Sequence, residues 1–117
     1  MARSGPEAAL VKKMRDAAKA VYGERFVSIK YHGSQFSEAG VSDLLCCLDG
    51  VFVAVEVKAP ESYGNDPSRA EVEGPTLKQK AFIARVQKAG GVGGVVASVT
   101  SFLALLTEAE EKGRLLY

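Results

Sequence analysis

Three residues of this chain have the types and spacing for metal-assisted hydrolysis: Asp43, Glu56 and Lys58. The run Ser42-Asp43-Leu44-Leu45-Cys46-Cys47-Leu48, then Asp49-Gly50, then Val51-Phe52-Val53-Ala54-Val55-Glu56-Val57-Lys58 reads as a β-hairpin. Asp-Gly between two β-prone runs suits a type I′ turn, which needs positive φ at both central positions. If Asp49-Gly50 is that turn, Leu48 pairs with Val51, and the same register sets Asp43 opposite Glu56. Counted from the turn, that pair is non-hydrogen-bonded, with Cα atoms about 4.5 Å apart. Two carboxylates so placed repel each other. A divalent cation between them would turn that liability into a site. Alternation along the strand puts Glu56 and Lys58 on one face and turns the Val57 side chain away, so only the backbone of Val57 can take part. A one-residue bulge would break the register and the inference with it.

The rest of the chain must hold that hairpin in place. At 117 residues it is the length of one domain with an ordinary core. Apolar content of 47% and charged content of 25% match a soluble globular protein. The sequence has no apolar run near the 18 or so residues of a membrane span and no signal-peptide pattern, so the expected location is cytoplasmic. Cys46 and Cys47 are adjacent, make no metal-ligand spacing, and read as buried free thiols. A net charge of +1 means that any polyanionic partner must meet a local basic face.

Ser4-Gly5-Pro6-Glu7 opens a helix ending near Gly23, with Leu10, Met14, Ala17 and Val21 as its apolar stripe. Residues 25–31 read as a half-buried strand, Val27, Ile29 and Tyr31 alternating with Ser28 and Lys30. The hairpin that follows is apolar on both faces, as for central strands covered on both sides. Residues 59–75 read as a long polar loop, residues 76–89 as a second amphipathic helix closed by Gly90-Gly91, residues 92–99 as a strand, and residues 101–112 as a last helix before a short apolar tail. The expected order is α-β-β-β-α-β-α, an α/β fold.

Gly40-Val41-Ser42-Asp43, Glu56-Val57-Lys58 and Leu77-Lys78-Gln79, followed by Gly-Gly and a Val-rich strand, resemble the VRR-NUC family of the PD-(D/E)XK nuclease superfamily. The resemblance spans nearly the whole chain, with Ser42 standing where the family has Pro. It implies a restriction-endonuclease-like mixed sheet flanked by helices, and a DNA endonuclease using Mg²⁺, with Mn²⁺ as a substitute. Phosphodiester hydrolysis needs charge neutralisation at the phosphate and an activated water, and Mg²⁺ with hard oxygen ligands supplies both. The resemblance assigns Asp43, Glu56 and the Val57 carbonyl as metal ligands. Lys58 would orient or deprotonate the water and stabilise developing charge. It also implies a homodimer acting on branched DNA, including four-way (Holliday) junctions. The alternatives are a less selective nicking or flap nuclease, and a non-catalytic DNA-binding module of the same fold.

Glu7 and Gln79 each have two readings. Ser4…Glu7 and Thr76…Gln79 both fit the capping box. Related nucleases place an acid on the first helix and a Gln on the later one near the site, which would make Glu7 and Gln79 catalytic-site residues. Lys30, His32, Lys78, Lys80 and Arg85 are the candidate DNA contacts, while Lys12, Lys13, Arg15 and Lys19 crowd the first helix as an ordinary solvated face. The 59–75 loop is expected to lack regular structure in its middle, to be mobile without DNA, and to act as a gate or dimer contact.

Overall fold

The Asp49-Gly50 turn sets the frame. Both residues have positive φ, 52° and 83°, as a type I′ turn requires. The computed structural model describes residues 5–33 and 38–117. Around the turn, β2 (Leu44–Leu48) and β3 (Val51–Val57) pair antiparallel from Leu48↔Val51 to Leu44↔Val55, the register the sequence implies, with no bulge. A fork of hydrogen bonds pins the turn. Arg25 donates from Nε and Nη2 to the two carboxylate oxygens of Asp49 at 2.8 and 2.6 Å, and from Nη2 to Glu110 at 2.6 Å. Such bidentate pairing fixes geometry as well as charge.

β1 (Phe26–Lys30) adds antiparallel to β2, and β4 (Val92–Val96) adds parallel to β3, giving an open mixed sheet in the order β1-β2-β3-β4. α1 (Pro6–Tyr22) and α4 (Val99–Leu116) cover one face. There Met14, Phe102 and Leu106 lock onto Leu44, Leu48, Val53, Val55 and Val57, all of them buried. α3 (Leu77–Lys88) covers only β3 and β4 on the other face, where a Cβ at Gly93 would come within 3.2 Å of Ile83. The expected order is found, with one helix added: α2 (Pro67–Glu73), after a 3₁₀ turn over Pro60–Tyr63.

Several expectations are corrected. The buried stripe of α1 is Val11, Met14, Ala18 and Tyr22, while Val21 is exposed. A stripe shifted by one residue satisfies the same spacing of three and four, and tertiary packing chose it. The helix is N-capped by Gly5, with Pro6 at its first position; the expected Ser4 cap lies outside the described residues. In β1 the covered face is that of Phe26 and Ser28, and Val27 and Ile29 are 63% and 60% exposed. Alternation says which residues share a face but not which face the helices take. β3 is covered on both sides from Val53 to Val57, but the second face of β2 is not: Cys47 is exposed where Cys46 is buried. The fourth strand is shorter than expected because Ser98 caps α4, its Oγ accepting from Ser101 N, and that helix absorbs the apolar tail.

Segment 59–75 is not the structureless loop expected. Asp66 caps α2, accepting from the N–H groups of Ser68 and Arg69, and Pro67 takes its first position. Ala70 is buried, and Glu71 accepts from Ala97 N at 2.9 Å, tying α2 to the end of β4. The structureless middle expected for this segment is therefore replaced by a docked helix. Among the described residues no helix is long and apolar enough to cross a membrane.

Candidate active site

The site forms at the end of the hairpin away from its turn. Asp43 lies one residue before β2, where its carbonyl accepts from Tyr31 N at 2.8 Å and extends the β1–β2 pairing. Its carboxylate Oδ2 accepts from Val57 N at 3.0 Å, so the side chain is held across the hairpin beside Glu56. Gly40 sets the approach to it. With φ of 82°, a Cβ there would stand 2.4 Å from the Lys78 carbonyl, so the chain before Asp43 lies directly on α3.

Glu56 is the unusual residue. It is 1% exposed, next to the end of a strand otherwise apolar from Val51 to Val57, and its Oε1 is buried with no hydrogen-bond partner. Its other oxygen, Oε2, is 3.3 Å from Lys58 Nζ. Burial, more than anything else, pushes the Glu56 carboxyl up to about 8; Asp43 adds to the rise and Lys58 opposes it. Glu56 therefore keeps its proton to higher pH than an ordinary carboxyl in the metal-free protein. An unpartnered, buried carboxylate oxygen facing a second carboxylate is a donor set that fits a hard divalent cation. Among the described residues no group of three or more His, Cys, Asp or Glu side chains converges, so Asp43 and Glu56 are the side chains that could hold a cation there.

Lys58 is 17% exposed, and its N–H donates to Val96 O at 3.0 Å, continuing the β3–β4 ladder past the strand. Its stem crosses Gly74, where a Cβ would come within 2.8 Å of Lys58 Cγ. α2 thus forms the wall behind the lysine. Ser42, fully buried, has an unpartnered Oγ next to Asp43. Sequence reasoning missed these supports. Asp66-Pro67, an N-cap followed by proline, was the available signal for α2; nothing in the sequence pointed to the contact of Gly74 with Lys58.

Glu7 is exposed on the first turn of α1 and is not a third converging ligand. It nevertheless lies in the field of the site: desolvation raises its pKa first and Asp43 second, with Lys58 and Lys30 opposing. Gln79 is committed to the helix. Its Oε1 accepts from Thr76 N at 2.8 Å while Thr76 Oγ1 accepts from Gln79 N at 3.1 Å, a complete capping box. Gln79→Ala is expected to cost about 1 kcal/mol through the lost cap, visible as a lower melting temperature. A fall in cleavage rate larger than any change in melting would instead place Gln79 in the chemistry.

The basic candidates divide. Lys78 and Lys80 are exposed on α3, His32 is exposed after β1, and Arg85 is paired with Glu38 at 3.2 Å. Lys30, opposite Leu44, projects on the α1 side of the sheet by strand alternation, the face opposite to that of Glu56. Comparison with family models, characterised proteins and solved structures finds no match to this chain.

Proposed function

We propose that this protein is a Mg²⁺-dependent DNA endonuclease of the VRR-NUC type, within the restriction-endonuclease-like fold, acting on branched DNA. One observation carries the reading: a buried Glu56 with an unpartnered oxygen, set against Asp43 and followed on the same face by Lys58. A stable core does not need an acid there, since an isolated buried carboxylate is costly and a hydrophobe of similar volume would be cheaper. The antiparallel hairpin with a parallel fourth strand reached through α3 supports the fold assignment.

A divalent cation held by Asp43, Glu56 and the Val57 carbonyl would neutralise phosphate charge and lower the pKa of a water. Asp43 is already oriented by Val57 N–H, so its free oxygen has a fixed direction. Lys58, fixed along its stem by Gly74, brings a cation to the edge of the site, where it orients the attacking water and offsets negative charge on the phosphoryl oxygens. Glu56 must give up its proton before it can serve as a ligand, so metal binding displaces that proton and activity rises with pH.

The branched-DNA preference and the homodimer rest on family resemblance. The bare sheet face of Val27, Ile29 and Phe52 supports association, being apolar surface that the chain leaves uncovered. A non-catalytic module would gain nothing from the buried Glu56. The test is a cleavage panel of linear, nicked, flap and four-way DNA with Mg²⁺ or EDTA, alongside sedimentation mass. Mg²⁺-dependent cleavage strongest on the four-way substrate, by a dimer, is expected. Cleavage of all substrates alike would favour the less selective nuclease, and none on any substrate would overturn the enzyme assignment.

A further inference from the structure

A cavity of about 380 Å³ lies between α1 and β1, lined by Lys12, Arg15, Lys19 and Lys30, with Ala8 and Val11 as apolar lining. Four cations around one groove concentrate positive charge on a chain whose net charge is only +1. The one acid there, Asp16, is bonded to Lys12 at 2.8 Å. Arg15 is held in position: Nε donates to Ser28 Oγ at 3.0 Å and Nη2 to the Ser28 carbonyl at 3.2 Å. Those bonds also cap the outer edge of β1, so the groove is not a strand-pairing surface.

We propose that this groove holds the sugar-phosphate backbone of the DNA strand leading away from the cleaved bond. The inference rests on the nuclease reading for its direction and extends it by assigning the path. Lys12, Arg15 and Lys19 follow one another at spacings of three and four on one face of α1. From first to last they span about 10 Å of helix axis. That matches about three phosphate-to-phosphate steps of one strand, at about 3.4 Å of duplex axis each. The groove ends at Lys30, the last residue of β1, which pairs with Leu44, the residue after Asp43. The opposite flank is less suited: Arg85 is occupied by Glu38, and α2 with its approach carries Glu61, Asp66, Glu71 and Glu73. A phosphate track needs cations with little competing acid, and among the described residues the α1–β1 groove gathers four cations around a single acid.

The test is DNA binding by the full chain with Ca²⁺ in place of Mg²⁺, measured by anisotropy over a range of salt. The variants are Lys19→Glu/Lys30→Glu and, for comparison, Lys78→Glu/Lys80→Glu. The groove pair is expected to lose about tenfold or more in affinity and to reduce the salt slope by about 2, since each phosphate contact contributes about 0.9. The α3 pair should change affinity by less than about threefold, consistent with few phosphate contacts on that face. A milder Lys19→Gln/Lys30→Gln pair, with an unchanged thermal melt, separates lost contacts from lost folding. Inorganic phosphate and a mononucleotide serve as competitors. An unchanged slope in both groove pairs overturns the proposal, as does the larger loss falling on the α3 pair. Competition by a mononucleotide as strong as that by an oligonucleotide would make the groove a small-anion pocket and also overturn it. Because binding is read without turnover, absence of cleavage with Mg²⁺ would count against the nuclease reading while leaving the groove result standing.

Discussion

Glu56→Gln is expected to abolish Mg²⁺-dependent cleavage while raising the melting temperature of the metal-free protein above pH 8. Both effects come from one buried oxygen pair. The folded protein holds the Glu56 proton up to about 8, against an ordinary value of 4.5. The unfolded chain gives it up first, so between those values the unfolded state binds fewer protons and stability falls as pH rises. The stabilisation is complete below pH 4.5 and lost as pH climbs through 8. Glutamine is neutral throughout and nearly isosteric, so its variant should escape that loss. Asp43→Asn should also abolish cleavage, because it removes the other carboxylate, yet its amide oxygen can still accept from Val57 N and keep the hairpin closed. Thermal melts in EDTA at pH 5 and pH 9, with cleavage assays beside them, decide the matter. Full activity in either variant would sink the site. Equal pH sensitivity of wild type and Glu56→Gln would show that the proton is not held where the burial of Glu56 implies.

Local chemistry made the hairpin legible. Asp49-Gly50 dictates its turn, the turn dictates the register, and the register brings Asp43 beside Glu56 before any tertiary contact is known. The Thr76/Gln79 capping box and the glycines after α3 are equally local. What the sequence hid was relational. The alternation in β1 was correctly read but assigned to the wrong face, because Phe26 and Ser28, not Val27 and Ile29, meet α1. The α1 stripe slipped by one residue for the same reason. Segment 59–75 looked like a loop because its glycines and prolines outweighed the Asp66-Pro67 helix start, and the use of α2 becomes visible only when Ala70 is buried and Gly74 touches Lys58. The basic residues of α1 looked like a solvated face until Lys30 came up beside them.

The buried charge of Glu56 makes Lys58 the most informative second target. Lys58→Ala is expected to slow single-turnover cleavage by about 10² to 10³, the usual cost of losing one group that stabilises developing charge, with little change in DNA affinity. The separation follows from geometry: Nζ lies 3.3 Å from Glu56 Oε2 at the head of the site, while the groove cations lie along α1. An interaction made mainly in the transition state lowers rate and leaves ground-state binding alone. A second signature distinguishes this from simple loss of a phosphate anchor. Lys58 is the cation that opposes the rise in the Glu56 pKa, so removing it should move the acid limb of the pH–rate profile to higher pH. Lys58→Arg should not restore the wild-type rate, because the stem crosses Gly74 in close contact and a planar guanidinium cannot occupy the place of a compact ammonium. Single-turnover rates from pH 6 to 10, with affinities measured in Ca²⁺, test all three expectations. Near-normal turnover with strongly weakened binding would reduce Lys58 to an anchor, and an unmoved pH profile would remove its coupling to Glu56.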